Sequence, residues 1–99
     1  MNIICLGDSL TFGYGVWRND CWVSLIAKAT GLRVMNRGTN GDTSAYMLQR
    51  AKRRIAPYEA EPGDIAVIMG GANDCLMYGA DENDVTNIMT IAELFREKV

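Results

Sequence analysis

The sequence has no histidine among its 99 residues, and this absence limits the chemistry that the chain can perform by itself. Imidazole is the side chain most often used as a general base, because its pKa lies near neutral pH. Any hydrolytic mechanism that needs an imidazole base therefore cannot be completed within these residues.

Cysteine and long hydrophobic runs are also scarce. Three cysteines at unpatterned spacing fit a reducing compartment better than a disulfide framework. No apolar run approaches the length that spans a bilayer, and Met1 leads into residues 3–6 without the basic start or cleavage site of a signal peptide. We therefore predict a cytoplasmic protein without a membrane span.

Neither sign of charge is in large excess. Ten basic and twelve acidic residues give a formal net charge of −2, which is too mild to indicate nucleic acid, a membrane surface or another highly charged partner. An apolar content of 48% is typical of a globular chain, and the length predicts a single domain over residues 1–99.

Three short apolar runs predict strands that are buried on both faces, at residues 2–6, 33–36 and 65–69. Residues 65–69 are continuously apolar, which is typical of parallel strands that helices cover on both faces. The turn at residues 61–64 leads into the third run.

Three segments between and after these runs have helical periodicity. Their apolar stripes are Trp22, Leu25, Ile26 and Ala29; Met47, Leu48, Ala51 and Ile55; and Val85, Ile88, Met89, Ala92 and Phe95. The candidate first residues or caps are Asn19 or Asp20, Asp42 or Thr43, and Asp81 or Asp84, and the first two helices end at Gly31 and before Pro57. The order β-α-β-α-β-α predicts an α/β fold with a doubly wound parallel sheet.

Glycine and small polar residues follow each predicted strand, at residues 7–13, 37–44 and 70–74. Ligands of open parallel sheets bind beyond the carboxyl ends of the strands. These three segments should therefore converge on one edge of the sheet and form the candidate site.

Motifs within these segments resemble those of one enzyme family. Residues 7–10 read Gly-Asp-Ser-Leu, residues 40–44 read Asn-Gly-Asp-Thr-Ser, and residues 71–74 read Gly-Ala-Asn-Asp. In this order they resemble the first three sequence blocks of the SGNH (GDSL) serine esterases and lipases. The resemblance implies a three-layer α/β/α, flavodoxin-like sheet, of which this chain holds the first three strands, the N-terminal half of the family domain.

The same resemblance implies a role for each candidate residue. Ser9 would be the nucleophile, and its backbone N–H would join the Gly41 N–H and the Asn73 side-chain amide in an oxyanion hole. Glycine at position 41 lets the backbone approach an ester, and an amide at position 73 is a neutral donor at any working pH. Asp8 and Asp74 would order their loops rather than act in catalysis or bind a metal. Nothing in the sequence predicts a cofactor.

The family's fourth block, DxxH, supplies histidine as the general base and aspartate to orient it, and it has no counterpart in this sequence. We therefore expect the chain alone to be nearly inactive as an ester hydrolase. The missing C-terminal half, or another copy of the chain, is the expected partner. The substrates would be small acyl esters, thioesters or acetylated sugars.

A non-catalytic α/β module that binds phosphate at its glycine-rich edge, or has a structural role, is the alternative. Neither G-x-G-x-x-G nor G-x-x-x-x-G-K-[ST] occurs, which counts against it.

Several other residues have more than one interpretation. The basic run Arg50, Lys52, Arg53 and Arg54 is interpreted as a solvated helix face, with a phosphate or nucleic-acid contact as the minor alternative. Tyr14 and Trp17 either line an acyl or leaving-group pocket or pack within their loop, and Trp22 belongs to the core stripe of the first helix. Cys75 follows the third motif, but no base is visible that would make it a nucleophile.

Overall fold

The computed structural model describes residues 1–55, 57–79 and 81–97. Three strands form one parallel sheet: β1 (Asn2–Gly7), β2 (Arg33–Gly38) and β3 (Ile65–Met69). The helices are α1 (Ser9–Phe12), α2 (Trp22–Thr30), α3 (Ser44–Ile55), α4 (Ala72–Met77) and α5 (Glu82–Arg96), with a 3-10 turn at Arg18–Asp20. The strand order β2-β1-β3 confirms the predicted doubly wound α/β fold.

The register of the sheet places the three strand ends side by side. Gly7 at the end of β1 lies opposite Gly38 of β2 and Met69 of β3. The segments that follow these strands therefore leave the sheet at the same level, as the sequence predicts.

Two apolar clusters cover the two faces of the central strand. Ile4 and Leu6 face one cluster, in which the buried partners are Met47, Ala51, Ile55, Ile91 and Phe95 from α3 and α5. Ile3 and Cys5 face the other, with Cys21 and Val23 at the start of α2. A fully buried side chain such as Leu6 or Ile91 contributes about 1.5–3 kcal/mol of transfer free energy.

Only β1 is buried along its whole length. The prediction that all three strands are covered on both faces is wrong for β2 and β3, where several residues are exposed and none is fully buried. These two strands form the edges of the sheet, so each has a neighbouring strand on one side only.

The start of α2 differs from the prediction. Asn19 and Asp20 belong to the preceding 3-10 turn, and the N-cap of α2 is Cys21, which makes no side-chain capping bond. The buried side chain is Val23, whereas Leu25 and Ala29 of the predicted stripe are exposed. The helix ends at Gly31, as predicted.

The other two predicted helices begin close to their predicted starts. The stripe Met47, Ala51 and Ile55 of α3 is buried. Asp81 caps α5, and Asp84 completes a capping box.

The predicted apolar stripe of α5 is partly wrong. Ile91 and Phe95 are buried, but Val85 and Met89 remain 62% and 63% exposed, and Ala92 is also exposed. Ile88 of the predicted stripe also packs against the core cluster, together with Ile91 and Leu94, which the predicted stripe omits. In the described part of the chain, no helix has the length and apolarity that a membrane span requires.

Candidate active site

Ser9 is the first residue of α1, directly beyond the carboxyl end of β1. Asp8 caps this helix, and its Oδ1 accepts a hydrogen bond of 3.0 Å from the Leu10 N–H. Gly7 allows the tight turn, because a Cβ there would stand 2.1 Å from Thr11 Oγ1 and 2.8 Å from the Met69 carbonyl oxygen. Asp8 and Thr11 are buried, while Ser9 is only half-buried, so its hydroxyl can be reached.

Gly41 lies in the loop between β2 and α3. The Thr39 N–H donates to the Gly7 carbonyl oxygen at 3.1 Å, which fixes the start of this loop beside the turn that carries Ser9. Gly41 has φ +78°, a conformation that favours glycine, and a Cβ built on it would meet no atom within 4 Å. The backbone of Gly41 therefore faces open space into which a ligand could enter.

Asn73 lies in the first turn of α4, beyond the end of β3. Its Nδ2 donates a hydrogen bond of 2.8 Å to the carbonyl oxygen of Asp42, the residue after Gly41. The second N–H of the amide has no acceptor within the described residues and remains available. Asn73 is thus held against the Gly41 loop, and strand register and hydrogen bonds bring together all three predicted segments.

Arg50 holds these segments in place, although the sequence interpretation put it on a solvated face. Its Nε contacts Asp42 Oδ2 at 2.6 Å, and its two terminal nitrogens donate to the carbonyl oxygens of Arg37 (3.0 Å) and Gly7 (2.9 Å). The Arg50 side chain is only 17% exposed. One guanidinium therefore joins the ends of β1 and β2 to the loop that carries Gly41.

The solvated interpretation fits the rest of that basic run, because Lys52, Arg53 and Arg54 are exposed. The spacing could have distinguished Arg50. It stands three residues after Met47 and one before Ala51, at the border of the buried stripe of α3.

A family model described as the GDSL-like lipase/acylhydrolase family matches residues 5–99. The chain belongs to this family. No curated protein matches it closely enough to count as a relative.

Several solved structures of GDSL-type proteins are similar to this chain. A lipolytic protein of the G-D-S-L family from Veillonella parvula DSM 2008 is 26% identical with a TM-score of 0.91, over 99% of this chain and 54% of that one. AlinE4, an SGNH-hydrolase family esterase, is 30% identical with a TM-score of 0.79, over 99% and 55%. TesA is 28% identical with a TM-score of 0.87, over 98% and 55%. The chain spans about half the length of the structures it matches.

Asp74 ties together three helices of this GDSL-family chain. Its buried carboxylate accepts the Ser44 N–H at 2.8 Å and the Ser44 hydroxyl at 2.9 Å, and Asn87 of α5 donates to that hydroxyl at 3.1 Å. Asp74 therefore connects the first turn of α4 to the start of α3. The described residues contain no group of three or more metal-binding side chains near Asp74 or elsewhere.

Two buried polar atoms of the turn that carries Ser9 have no hydrogen-bond partner in the part of the chain that the structure describes. They are Asp8 Oδ2 and Thr11 Oγ1. Such atoms raise the free energy of the folded state, and they mark this turn as the least satisfied polar region among those residues.

The remaining residues with more than one interpretation in this GDSL-family chain are Tyr14, Trp17, Trp22 and Cys75. Tyr14 and Trp17 are 76% and 82% exposed, so they do not pack within their loop. Trp22 is half-buried and donates its indole N–H to the Leu10 carbonyl oxygen at 3.0 Å. Cys75 is an exposed free thiol on α4.

Proposed function

We propose that this chain supplies the nucleophile and the oxyanion hole of a GDSL-type carboxylic-ester hydrolase. The observation that carries the proposal is the 2.8 Å hydrogen bond from Asn73 to the Asp42 carbonyl oxygen, which sets a spare amide N–H beside Gly41. A neutral donor fixed beside an open glycine backbone suits the stabilisation of an oxyanion.

Acyl transfer would proceed at Ser9. Its Oγ attacks the ester carbonyl carbon, and the carbonyl oxygen becomes an oxyanion that accepts hydrogen bonds from the N–H groups of Ser9, Gly41 and Asn73. The Ser9 N–H suits this role because the first N–H groups of a helix have no intrahelical acceptor. Collapse of the intermediate expels the alcohol and leaves an acyl group on Ser9, which water then removes.

The Ser9 hydroxyl also needs a base that takes its proton. The chain has no histidine, so we expect it to be nearly inactive alone; in subtilisin, loss of the triad serine or histidine costs roughly 10⁶ in turnover. A second copy of this chain has no histidine either and cannot supply one. We therefore propose that residues 1–99 form the N-terminal portion of an SGNH domain, completed by a C-terminal portion with the Asp/His block.

The exposed edge of β3 is the place where we propose that this portion docks. Among the described residues β3 pairs with β1 alone, and the exposed Val85 and Met89 of α5 lie beside an apolar cleft at the end of β3 that Gly70 and Ile88 also line. An added strand would cover both features and remove an open sheet edge. We also propose a cytoplasmic location, which is supported by the free thiols of all three cysteines.

Labelling of Ser9 with a fluorophosphonate tests the proposal, since the reagent phosphonylates an activated serine hydroxyl and releases fluoride. Imidazole in the buffer replaces the absent base. We expect imidazole-dependent labelling of the native chain, located at Ser9 by mass spectrometry, and none in Ser9→Ala. Labelling of other serines at the same rate, or none at Ser9, would contradict the proposal and favour a non-catalytic phosphate-binding module.

A further inference from the structure

The segment after the nucleophile exposes a cluster of apolar side chains. Those that are more than half exposed, here called the apolar loop, are Leu10, Phe12, Tyr14, Val16 and Trp17. Single exposed apolar residues are ordinary on protein surfaces, but five within eight residues are typical of a surface that binds a protein, a membrane or a ligand.

The apolar loop is fastened to the β2 side of the sheet. The Leu10 carbonyl oxygen accepts the Trp22 indole N–H at 3.0 Å, and the Thr11 carbonyl oxygen accepts from Asn36 Nδ2 of β2 at 2.9 Å. Because β1 separates β2 from β3, a strand added at the β3 edge would lie on the other side of the sheet. That strand would therefore not pair with β2, the strand to which the apolar loop is fastened.

Arginines border the same surface. A groove of about 620 Å³ is lined by Phe12 and Val16 of the apolar loop together with Arg18, Arg33 and Arg37. Among the described residues, none of these arginines has an ion-pair partner.

Basic and acidic residues are unevenly distributed along the chain, although the net charge of the whole chain is mild. Residues 9–41 contain four basic side chains and one acidic side chain, whereas the rest of the chain contains six basic and eleven acidic ones. The apolar loop therefore lies in the basic part of an otherwise acidic protein. Such a surface complements an anionic lipid headgroup layer more closely than a neutral partner.

The residue types favour lipid as the occupant. Tyrosine and tryptophan have an apolar ring with a polar atom, which suits the boundary between headgroups and acyl chains, and arginine binds phosphate. We propose that the apolar loop and its three arginines dock the chain on an anionic lipid bilayer, so that Ser9, the residue before Leu10, faces esters presented in that bilayer. The choice of substrate rests on the proposed esterase function, whereas docking by itself needs no catalysis.

Vesicle binding tests this docking directly. The purified chain is mixed at low salt with vesicles of 70% phosphatidylcholine and 30% phosphatidylglycerol, or of phosphatidylcholine alone, and sedimented. The chain has two tryptophans, so Trp22→Phe leaves Trp17 as the single fluorescent reporter. We expect binding to the anionic vesicles, an emission shift of Trp17 to shorter wavelength, and quenching by brominated acyl chains. If Trp22→Phe does not fold, sedimentation of the native chain gives the same test.

Matched variants identify the surface. Phe12→Ser with Trp17→Ser should lower the partition coefficient at least tenfold, and Arg33→Gln should lower it roughly fivefold. Leu76→Ser removes a leucine that is 83% exposed on α4, and Arg53→Gln removes an exposed arginine of α3; both should stay within twofold of the native value.

Three outcomes would overturn the docking proposal: no partition into anionic vesicles, equal binding to phosphatidylcholine alone, or an equal loss in the control variants. Self-association that Trp17→Ser abolishes would likewise overturn it in favour of a second copy as the occupant. Ser9→Ala should bind vesicles like the native chain. Intact binding without Ser9 labelling would therefore count against the esterase only, and labelling without vesicle binding against the docking only.

Discussion

Each end of the sheet contains a buried aspartate, and the two carboxylates differ in how completely they are hydrogen-bonded. At the amino end, the Asp64 carboxylate accepts hydrogen bonds from the Tyr58 hydroxyl, the Glu61 N–H at 2.8 Å and the Asn2 N–H at 2.6 Å. Together these bonds lower its pKa to about 2. At the carboxyl end, Asp8 is at least as buried, but only one of its oxygens has a partner among the described residues.

This difference separates stability from chemistry along one strand. The amino end connects β1 to the turn before β3 through fully used polar groups, so its role is to hold the fold. The carboxyl end contains the orphaned atoms of Asp8 and Thr11 and the spare N–H of Asn73, in the region where we propose the reaction. Unsatisfied polar groups cost stability and are typical of sites that bind or transform a ligand.

The largest effect on this comparison should come from Arg50→Met, because the Arg50 guanidinium contacts three residues at the carboxyl end of the sheet. The change leaves Asp42 and the carbonyl oxygens of Gly7 and Arg37 without their guanidinium partner. We expect the free energy of unfolding to fall by about 3–5 kcal/mol, measured by urea denaturation. Arg53→Met, on the exposed face of the same helix, should change it by about 0.5 kcal/mol or less. Equal losses in both variants would show that the Arg50 contacts contribute nothing specific.

Asn73→Ala should separate activity from stability. Imidazole-dependent phosphonylation of Ser9 should slow by about 10²–10³, because one of the proposed oxyanion donors is lost. The free energy of unfolding should fall by only about 1 kcal/mol, from the lost hydrogen bond to Asp42. Asn83→Ala, an exposed asparagine of α5, should change neither quantity. A slowed rate that merely follows the unfolded fraction would remove Asn73 from the proposed site.

Asp64→Asn should remove the contribution of the Asp64 carboxylate to the pH dependence of stability. The folded pKa of about 2 lies below the value of about 3.9 in an unfolded chain, so the charged carboxylate stabilises the fold above about pH 4. That stabilisation is lost as the pH falls through 2. The variant should therefore have a lower Tm than the native chain at pH 7, with the gap closing towards pH 2. Glu93→Gln, whose carboxylate pairs with Arg96 on the surface, should leave the Tm almost unchanged. A gap that stays constant with pH would contradict the assignment.

The smallest expected effect has the opposite sign. Asp8→Ser keeps an N-cap oxygen for the Leu10 N–H and removes the orphaned Oδ2, so stability should rise by about 0.5–1 kcal/mol. Asp64→Ser should lower stability, because three donors lose their acceptor. Urea denaturation of the two variants compares the ends directly. A loss of stability in Asp8→Ser would mean that the carboxylate has a partner in solution.

The elements that the sequence predicts are those with a long periodic pattern or a clear apolar run. All three strands and the three longest helices were predictable for this reason. Helices α1 and α4, of four and six residues, are too short to show a period. The stripe of α5 was misjudged because it has apolar residues on two faces, and only packing against α3 decides that Ile91 is buried and Val85 is not.

From the sequence, the site could be predicted only at the residues that belong to its three motifs. Glycine and polar residues after each strand indicate where Ser9, Gly41 and Asn73 lie. The contacts of Arg50 with Asp42, Arg37 and Gly7 were not predicted, because in the sequence Arg50 stands within a run of basic residues. A long side chain that reaches backbone carbonyl groups of two other elements leaves no local pattern.

The position of β1 at the centre of the sheet also governs how the protein can be made. Strand β1 leaves the ribosome before both of its neighbours, and the second of them ends only at Met69. At ordinary translation speeds of about 5–20 residues per second, roughly 3 to 12 s pass before that pairing is possible. During this time the apolar side chains of β1 have no sheet to pack in, so chaperones can bind the nascent strand. The long separation in sequence between the paired strands also raises the contact order of the fold.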